Sequence, residues 1–276
     1  MGNLLKIDCK RILKDKLFLV ACIIGVAFAV FMPVLYFALF KATGLGEETA
    51  ALLGMPINAK YIFSMSFSPG NNFALVVPVL ITIALYKDFS FGTIRNKIIH
   101  GNSRTSVYLS MHVTNTIFLC GLLLAYALLS LGISLLFFEY QPSGFTMDDF
   151  VYLLQTILFE CLIYAFIAAL ISFLCVFMKN AGTSVIMYIA INLVFTMIAS
   201  ILSVTASVLR MDAAKEKLVS VLDFFLKTNV FYAATTLGTG TSYTTEQILY
   251  AVLPSLVGIF VFVGLGILVF RKKDLK

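Results

Sequence analysis

ALYKDFSFGTIRNKIIHGNSRTS, residues 84–106, joins two apolar segments and is the one long polar stretch between spans with both a basic cluster and helical spacing. Phe89, Phe91, Ile94, Ile98 and Ile99 can share much of one face of a short amphipathic helix, with Lys87, Arg95, Lys97 and Arg104 supplying positive charge around it. A basic amphipathic helix between two membrane spans lies on the lipid surface or docks onto a cytoplasmic partner. Which of the two applies depends on the rest of the chain.

Hydrophobic residues make up 61% of the 276 residues and charged ones 12%. The apolar residues come in long blocks that a soluble core does not require. The fold class is therefore an all-α, polytopic membrane protein with a single transmembrane domain over residues 1–276. The net charge of +6 belongs to topology, because Lys and Arg collect on the cytoplasmic side of such proteins; it is no sign of nucleic-acid binding. Cys9, Cys22, Cys120, Cys161 and Cys175 show no CxxC spacing, and His100 and His112 are the only imidazoles. Neither a disulfide framework nor a metal site is expected.

Residues 3–16 interleave Leu4, Leu5, Ile7, Ile12 and Leu13 with Lys6, Lys10, Arg11, Lys14 and Lys16, the pattern of an amphipathic helix at the headgroups of a cytoplasmic leaflet. Spans are expected at about 17–40, 73–86, 107–138, 151–178, 182–209 and 247–270. The first has charges ahead of it and no small-residue cleavage site behind, so it reads as a retained span rather than a signal peptide; Pro33 is expected to kink it. The second, begun by an Asn71/Asn72 cap, is short against the usual ~20 residues, so protein must shield its outer end or the Tyr61–Phe67 region must extend it. The third is long enough to tilt or to project. The loop at 41–72 contains Glu47, Glu48 and Met55-Pro56, and the turn after span three contains Glu139, Pro142, Gly144, Asp148 and Asp149. In the loop at 210–246, Leu218, Leu222, Phe225 and Leu226 have helical spacing, which predicts one or two short amphipathic helices before span six, with Gly238-Thr-Gly240 a flexible stop.

With both termini inside, fourteen of the twenty Lys and Arg residues fall on the cytoplasmic side. The other six (Lys41, Lys60, Arg210, Lys215, Lys217 and Lys227) lie in two outer loops that also carry acids. This positive-inside bias supports six spans and cytoplasmic termini.

No catalytic constellation is present: GxxxxGK(S/T), HExxH and GxSxG are all absent. The chain is not expected to be an enzyme or to hold ATP itself. Glu160 is the one clear carboxylate deep in a span, where ionisable groups are costly and face protein or water. It is either a structural hydrogen-bonding group or part of a proton path. Asn192, Thr196, Ser200, Ser203 and Ser207 form a polar stripe on span five, which either packs helices together or lines a substrate path.

The central loop combines Asp88, then Phe91-Gly92-Thr93, then Arg95, then a turn at His100–Arg104 that enters a long span. This combination resembles the segment between spans two and three of ABC-2 type permeases, the membrane subunits of one class of ABC exporter. Asp88 stands where that family often has Glu, Gly92-Thr93 matches, and Ser103-Arg104 fits the turn. The Pro often found before that Arg is replaced by Asn102-Ser103. The architecture is similar along the whole chain: a basic N-terminal helix, six spans, and an amphipathic outer segment before the last.

The resemblance implies a coupling helix whose docking residues are Asp88, Phe91, Gly92, Thr93, Ile94, Arg95, Ile98 and Arg104. It implies two cytoplasmic ATPase subunits that hold ATP and Mg, and a second permease copy or a homologous permease. The expected function is export of an amphipathic or peptide-like antimicrobial substrate, as in bacitracin or lantibiotic efflux, across a bacterial plasma membrane. Glu160, Asn192, Thr196 and Ser200 are the candidate intramembrane path. The alternatives are a proton-coupled secondary transporter or channel using Glu160, and a non-transporting sensory or scaffold subunit.

Overall fold

The computed structural model describes residues 2–43, 58–70, 72–141, 144–210, 215–238, 240 and 242–273. Glu47, Glu48, Met55, Pro56, Asn71 and Pro142 lie outside the described residues. Eleven helices are described, and no strand: α1 (Gly2–Leu13), α2 (Lys16–Thr43), α3 (Ala59–Met65), α4 (Asn72–Ser90), α5 (Thr93–Ile99), α6 (Arg104–Ser134), α7 (Met147–Phe177), α8 (Ala181–Leu209), α9 (Glu216–Thr228), α10 (Val230–Thr236) and α11 (Thr245–Lys272). Six of them, α2, α4, α6, α7, α8 and α11, are long and apolar enough to cross a membrane.

Polar side chains set the helix starts, and they explain where the apolar blocks misplace the ends. Span three begins at Arg104 rather than 107, because the Ser103 hydroxyl caps the Ser106 N–H. Span four begins at Met147 rather than 151, because Thr146 and Asp149 close a capping box. Span six begins at Thr245, where Thr244 and Gln247 form a second box. Hydropathy counts these residues against a span, yet the first turn needs acceptors for its free N–H groups. At its other end span three stops at Ser134, and residues 135–138 form a turn instead of further helix. The first span is continuous helix through Pro33.

Span two corrects the sequence expectation at one end. It runs on to Ser90, so Lys87 and Asp88 belong to the helix and not to the loop. Ahead of its start, the Tyr61–Phe67 region carries the short helix α3. This short helix is buried on Ala59, Lys60, Ile62, Phe63 and Ser64, and the non-helical segment after it is held from inside the bundle. The Tyr164 hydroxyl donates to the Phe67 carbonyl at 2.6 Å, and Asn192 Nδ2 donates to the Pro69 carbonyl at 2.6 Å. Irregular backbone among apolar helices persists only where protein groups bond it.

The hub is α7, with 67% of its apolar window buried against at most 44% for the other five spans. It packs on α4, α6, α8, α10 and α11. Its contact with α11 is made close by glycine: a Cβ on Gly258 would run into the Phe166 ring, and one on Gly266 would meet the Tyr108 hydroxyl of α6. The residues after α8 also fold back into the bundle. α9 and α10 meet at an angle of 87°, and at their elbow Asn229 Nδ2 donates to the Phe195 carbonyl, midway along α8, at 2.9 Å. Leu222 and Leu226 of α9 pack with Ala199, Leu202 and Ala206 of α8, while Leu218 and Phe225 are exposed. The four residues given helical spacing by the sequence therefore divide between the two sides of α9.

Gly266→Ala and Gly258→Ala are expected to lower the thermal midpoint in detergent, each by an overpacking cost of about 1–3 kcal/mol. Gly264→Ala, where a Cβ meets nothing within 4 Å, should leave the midpoint unchanged. Equal midpoints for all three would show that α11 is not seated through its glycines.

Candidate functional site

Two regions bring the polar residues together, one at each end of the bundle. At the end that carries α1 and α5, three ion pairs tie the N-terminal segment to the helices around it. Arg11 pairs with Asp88 at the end of α4, Lys97 of α5 pairs with Asp8, and Lys87 reaches Asp15 at 2.8 Å. Asp8 also accepts from Ser110 of α6 at 2.8 Å. The Asp8, Asp88 and Lys97 side chains are each less than a tenth exposed. Burial lowers the Lys97 ammonium from its ordinary pKa, and Asp8 works against that fall. Burial pushes the Asp15 carboxyl up, but hydrogen bonds from Lys87 and the Leu17 N–H bring it below the usual carboxylate range.

The expected single apolar face at residues 89–99 does not form. Gly92, at φ +67°, turns the chain between α4 and α5, so Phe89 stays on α4 and the isoleucines divide. Ile94 is 1% exposed and Ile98 packs on the same core, whereas Phe91 is 76% and Ile99 68% exposed. Ile94 is therefore an internal anchor and not a docking contact. Arg95 is exposed and Thr93 is half-buried at the first turn. Arg104 is likewise committed inside the chain. Its Nη1 donates to the carbonyls of Arg271 at 3.0 Å and Lys273 at 2.8 Å, closing the C-terminus of α11. Lys273 in turn donates to the Val176 carbonyl at 2.6 Å, at the end of α7.

Inside the bundle, the expected intramembrane path separates into different roles. Glu160 is fully buried on α7, and neither carboxylate oxygen has a hydrogen-bond partner among the described residues. Asn192 donates from Nδ2 to Pro69, and its buried Oδ1 has no hydrogen-bond partner among the described residues. Thr196 and Ser200 bond back to their own helix, to the carbonyls of Asn192 at 2.6 Å and Thr196 at 3.0 Å. Both also line a cavity of about 320 Å³ against Tyr232 and Thr235 of α10.

At the opposite end, where α7 and α11 begin and α8 ends, a second cavity of about 310 Å³ shares Ser203 and Tyr232 with the first. Tyr243 and Tyr250 form part of its wall, with Arg210, Asp223 and Lys227 as its charges. Tyr152 stacks on Tyr243 at 4.5 Å between centroids, and both hydroxyls accept from the chain before α11, from Gly240 N–H and Gly238 N–H at 3.0 Å each. Sequence reasoning missed this site. Its one signal was the spacing of Tyr232, Tyr243 and Tyr250 across the end of the 210–246 loop and the start of span six.

No protein-family model matches the chain, and no curated protein matches it.

Asp8→Ala leaves Lys97 buried without its carboxylate and is expected to cost about 3 kcal/mol of stability, read from thermal or denaturant unfolding in detergent. The double variant Asp8→Ala/Lys97→Met should recover part of that loss, and no recovery would mean the pair is not what holds α1. The Asp15–Lys87 contribution is present above the ordinary aspartate pKa and lost as pH falls through the lowered Asp15 value. Asp15→Asn should therefore flatten the acid limb of the stability curve.

Proposed function

We propose that this chain is the membrane subunit of an ABC-2 type exporter, driven by ATP that a separate ATPase subunit binds with Mg and hydrolyses. The observation that carries this reading is the two-sidedness of α5. One side is fixed to the span bundle by Ile94 and by the Lys97–Asp8 pair; the other presents Phe91, Arg95 and Ile99 outward. A short helix with an exposed apolar-and-basic rim and a rigid rear attachment suits transfer of a push from a docked partner into the spans. Because α1 is tied to α4, α5 and α6, a displacement of α5 reaches several spans together.

The remaining assignments follow from that reading. The α1 end is the cytoplasmic face of a bacterial plasma membrane, with both termini inside, in agreement with the bias of Lys and Arg. A second permease, identical or homologous, completes the pathway, and two ATPases dock below. The substrate is amphipathic or peptide-like, an antimicrobial being the expected example. A second reading, ATP-independent transport through Glu160, is favoured by its unpartnered buried carboxylate.

Affinity capture of the tagged chain from native membranes in mild detergent tests the first reading. A stoichiometric ATPase of about 25–35 kDa, a one-domain size, is expected, and Phe91→Glu with Arg95→Glu should abolish its capture without changing membrane insertion. Retained capture by that variant would remove α5 as the docking element. Absence of any nucleotide-binding partner, with transport in ATP-free liposomes that Glu160→Gln abolishes, would replace the first reading with the second.

A further inference from the structure

The cavity at the end opposite α1 has a wall of two characters. Leu226, Ala233, Leu237 and Ala251 supply hydrocarbon, and Arg210, Lys227 and Asp223 supply charge. Its volume of about 310 Å³ is at the small end of ligand pockets. The adjoining cavity beside Ser200 and Thr196 extends the space along α8.

The three charges are not equally committed. Both oxygens of Asp223 accept from Nη2 of Arg210, at 2.7 and 2.9 Å, so this carboxylate is neutralised where it stands. The guanidinium keeps its remaining N–H groups, and five donors in a planar fork suit an oxyanion. Lys227 donates at 2.7 Å to Glu246, whose side chain is 61% exposed and forms no part of the cavity wall. An exposed pair of this kind is weak and exchanges partners readily. The Lys227 ammonium also lies 5.8 Å from the centroid of the Tyr250 ring, in the wall of the same cavity.

We propose that this cavity binds an anionic amphiphile. A phosphate-type head is held by Lys227 and Arg210, from the ends of α9 and α8, and its apolar body lies against Leu226, Tyr232 and Ala251. A neutral head gains no charge partner from Lys227 once Glu246 is displaced, while Arg210, whose charge Asp223 balances, offers its remaining N–H donors; a bare anion leaves the apolar wall unfilled. Binding replaces Glu246 on Lys227, so Glu246 acts as the competitor that an incoming head displaces. No ATPase is needed for this binding, which stands apart from the docking proposed at the other end.

The chain contains no tryptophan, so Tyr250→Trp places a single indole reporter beside Lys227. The full-length reporter protein in phosphatidylcholine nanodiscs is titrated with octyl phosphate, octyl glucoside and inorganic phosphate. Octyl phosphate is expected to saturate the emission change with an affinity about tenfold or more above the other two. Lys227→Gln and Arg210→Gln should each weaken it by about tenfold, and Glu246→Gln should tighten it. Equal binding of octyl glucoside would make this a crevice without anion selectivity, and equal binding of inorganic phosphate would make it a free-anion site; either overturns the proposal. Unchanged affinity in Lys227→Gln overturns it as well. Should the Lys227 or Arg210 variants fail to fold, Glu246→Gln decides alone, because it alters an exposed carboxylate outside the wall. Weaker or unchanged binding there also overturns the proposal.

Discussion

Backbone carbonyls and N–H groups surrounded by apolar helices must find partners within the chain, because hydrocarbon offers none. Six helices meet this requirement by their own hydrogen bonds. The places where the chain leaves helical geometry meet it with side chains, Tyr164 on Phe67, Asn192 on Pro69 and Ser64 on Gly238, and Asn229 anchors the elbow by donating to Phe195 within α8. These four bonds hold two inward-folded segments, one before α4 and one before α11, and the Ser64 bond joins them directly at 2.7 Å. The short second span and the long loop after α8 are thus two parts of one construction.

The same rule applied to charge shapes the α1 end. Asp8 and Asp88 are buried, and each sits against a cation from another element, Lys97 and Arg11. Burial of single charges would be prohibitive, and pairing makes it tolerable without adding much net stability. What the pairs contribute is registration. α1 is fixed relative to α4, α5 and α6 at once, and Arg104 and Lys273 close the ends of α11 and α7 in the same region.

At the other end the chain is more open. The elbow of α9 and α10 brings Tyr232 into the walls of two adjoining cavities, and the tyrosine pair Tyr152 and Tyr243 fastens the approach to α11 through the backbone N–H groups of Gly238 and Gly240. Aromatic rings with hydroxyl groups suit such a boundary, being apolar in body and polar at one end. Glu160 stands apart from both cavities, buried on the most enclosed span, with no partner for its oxygens among the described residues.

Composition and block length were enough to determine six membrane-length helices and their order, because hydropathy and the 3.6-residue period are local properties. The short second span was legible as a problem, and the Tyr61–Phe67 region as one answer to it. Only the tertiary structure decided which side of each amphipathic segment is used. Ile94 turns inward while Phe91 and Ile99 turn outward, and Leu222 and Leu226 rather than Leu218 and Phe225 meet α8, since the turn at Gly92 and the elbow at Asn229 rotate each helix by amounts that spacing does not encode. It also decided the partners of the buried charges and the cavity of Arg210, Lys227 and Tyr250. The buried charges come from segments far apart in the chain, the cavity residues from the ends of three different helices, and no local pattern carries the information that they meet.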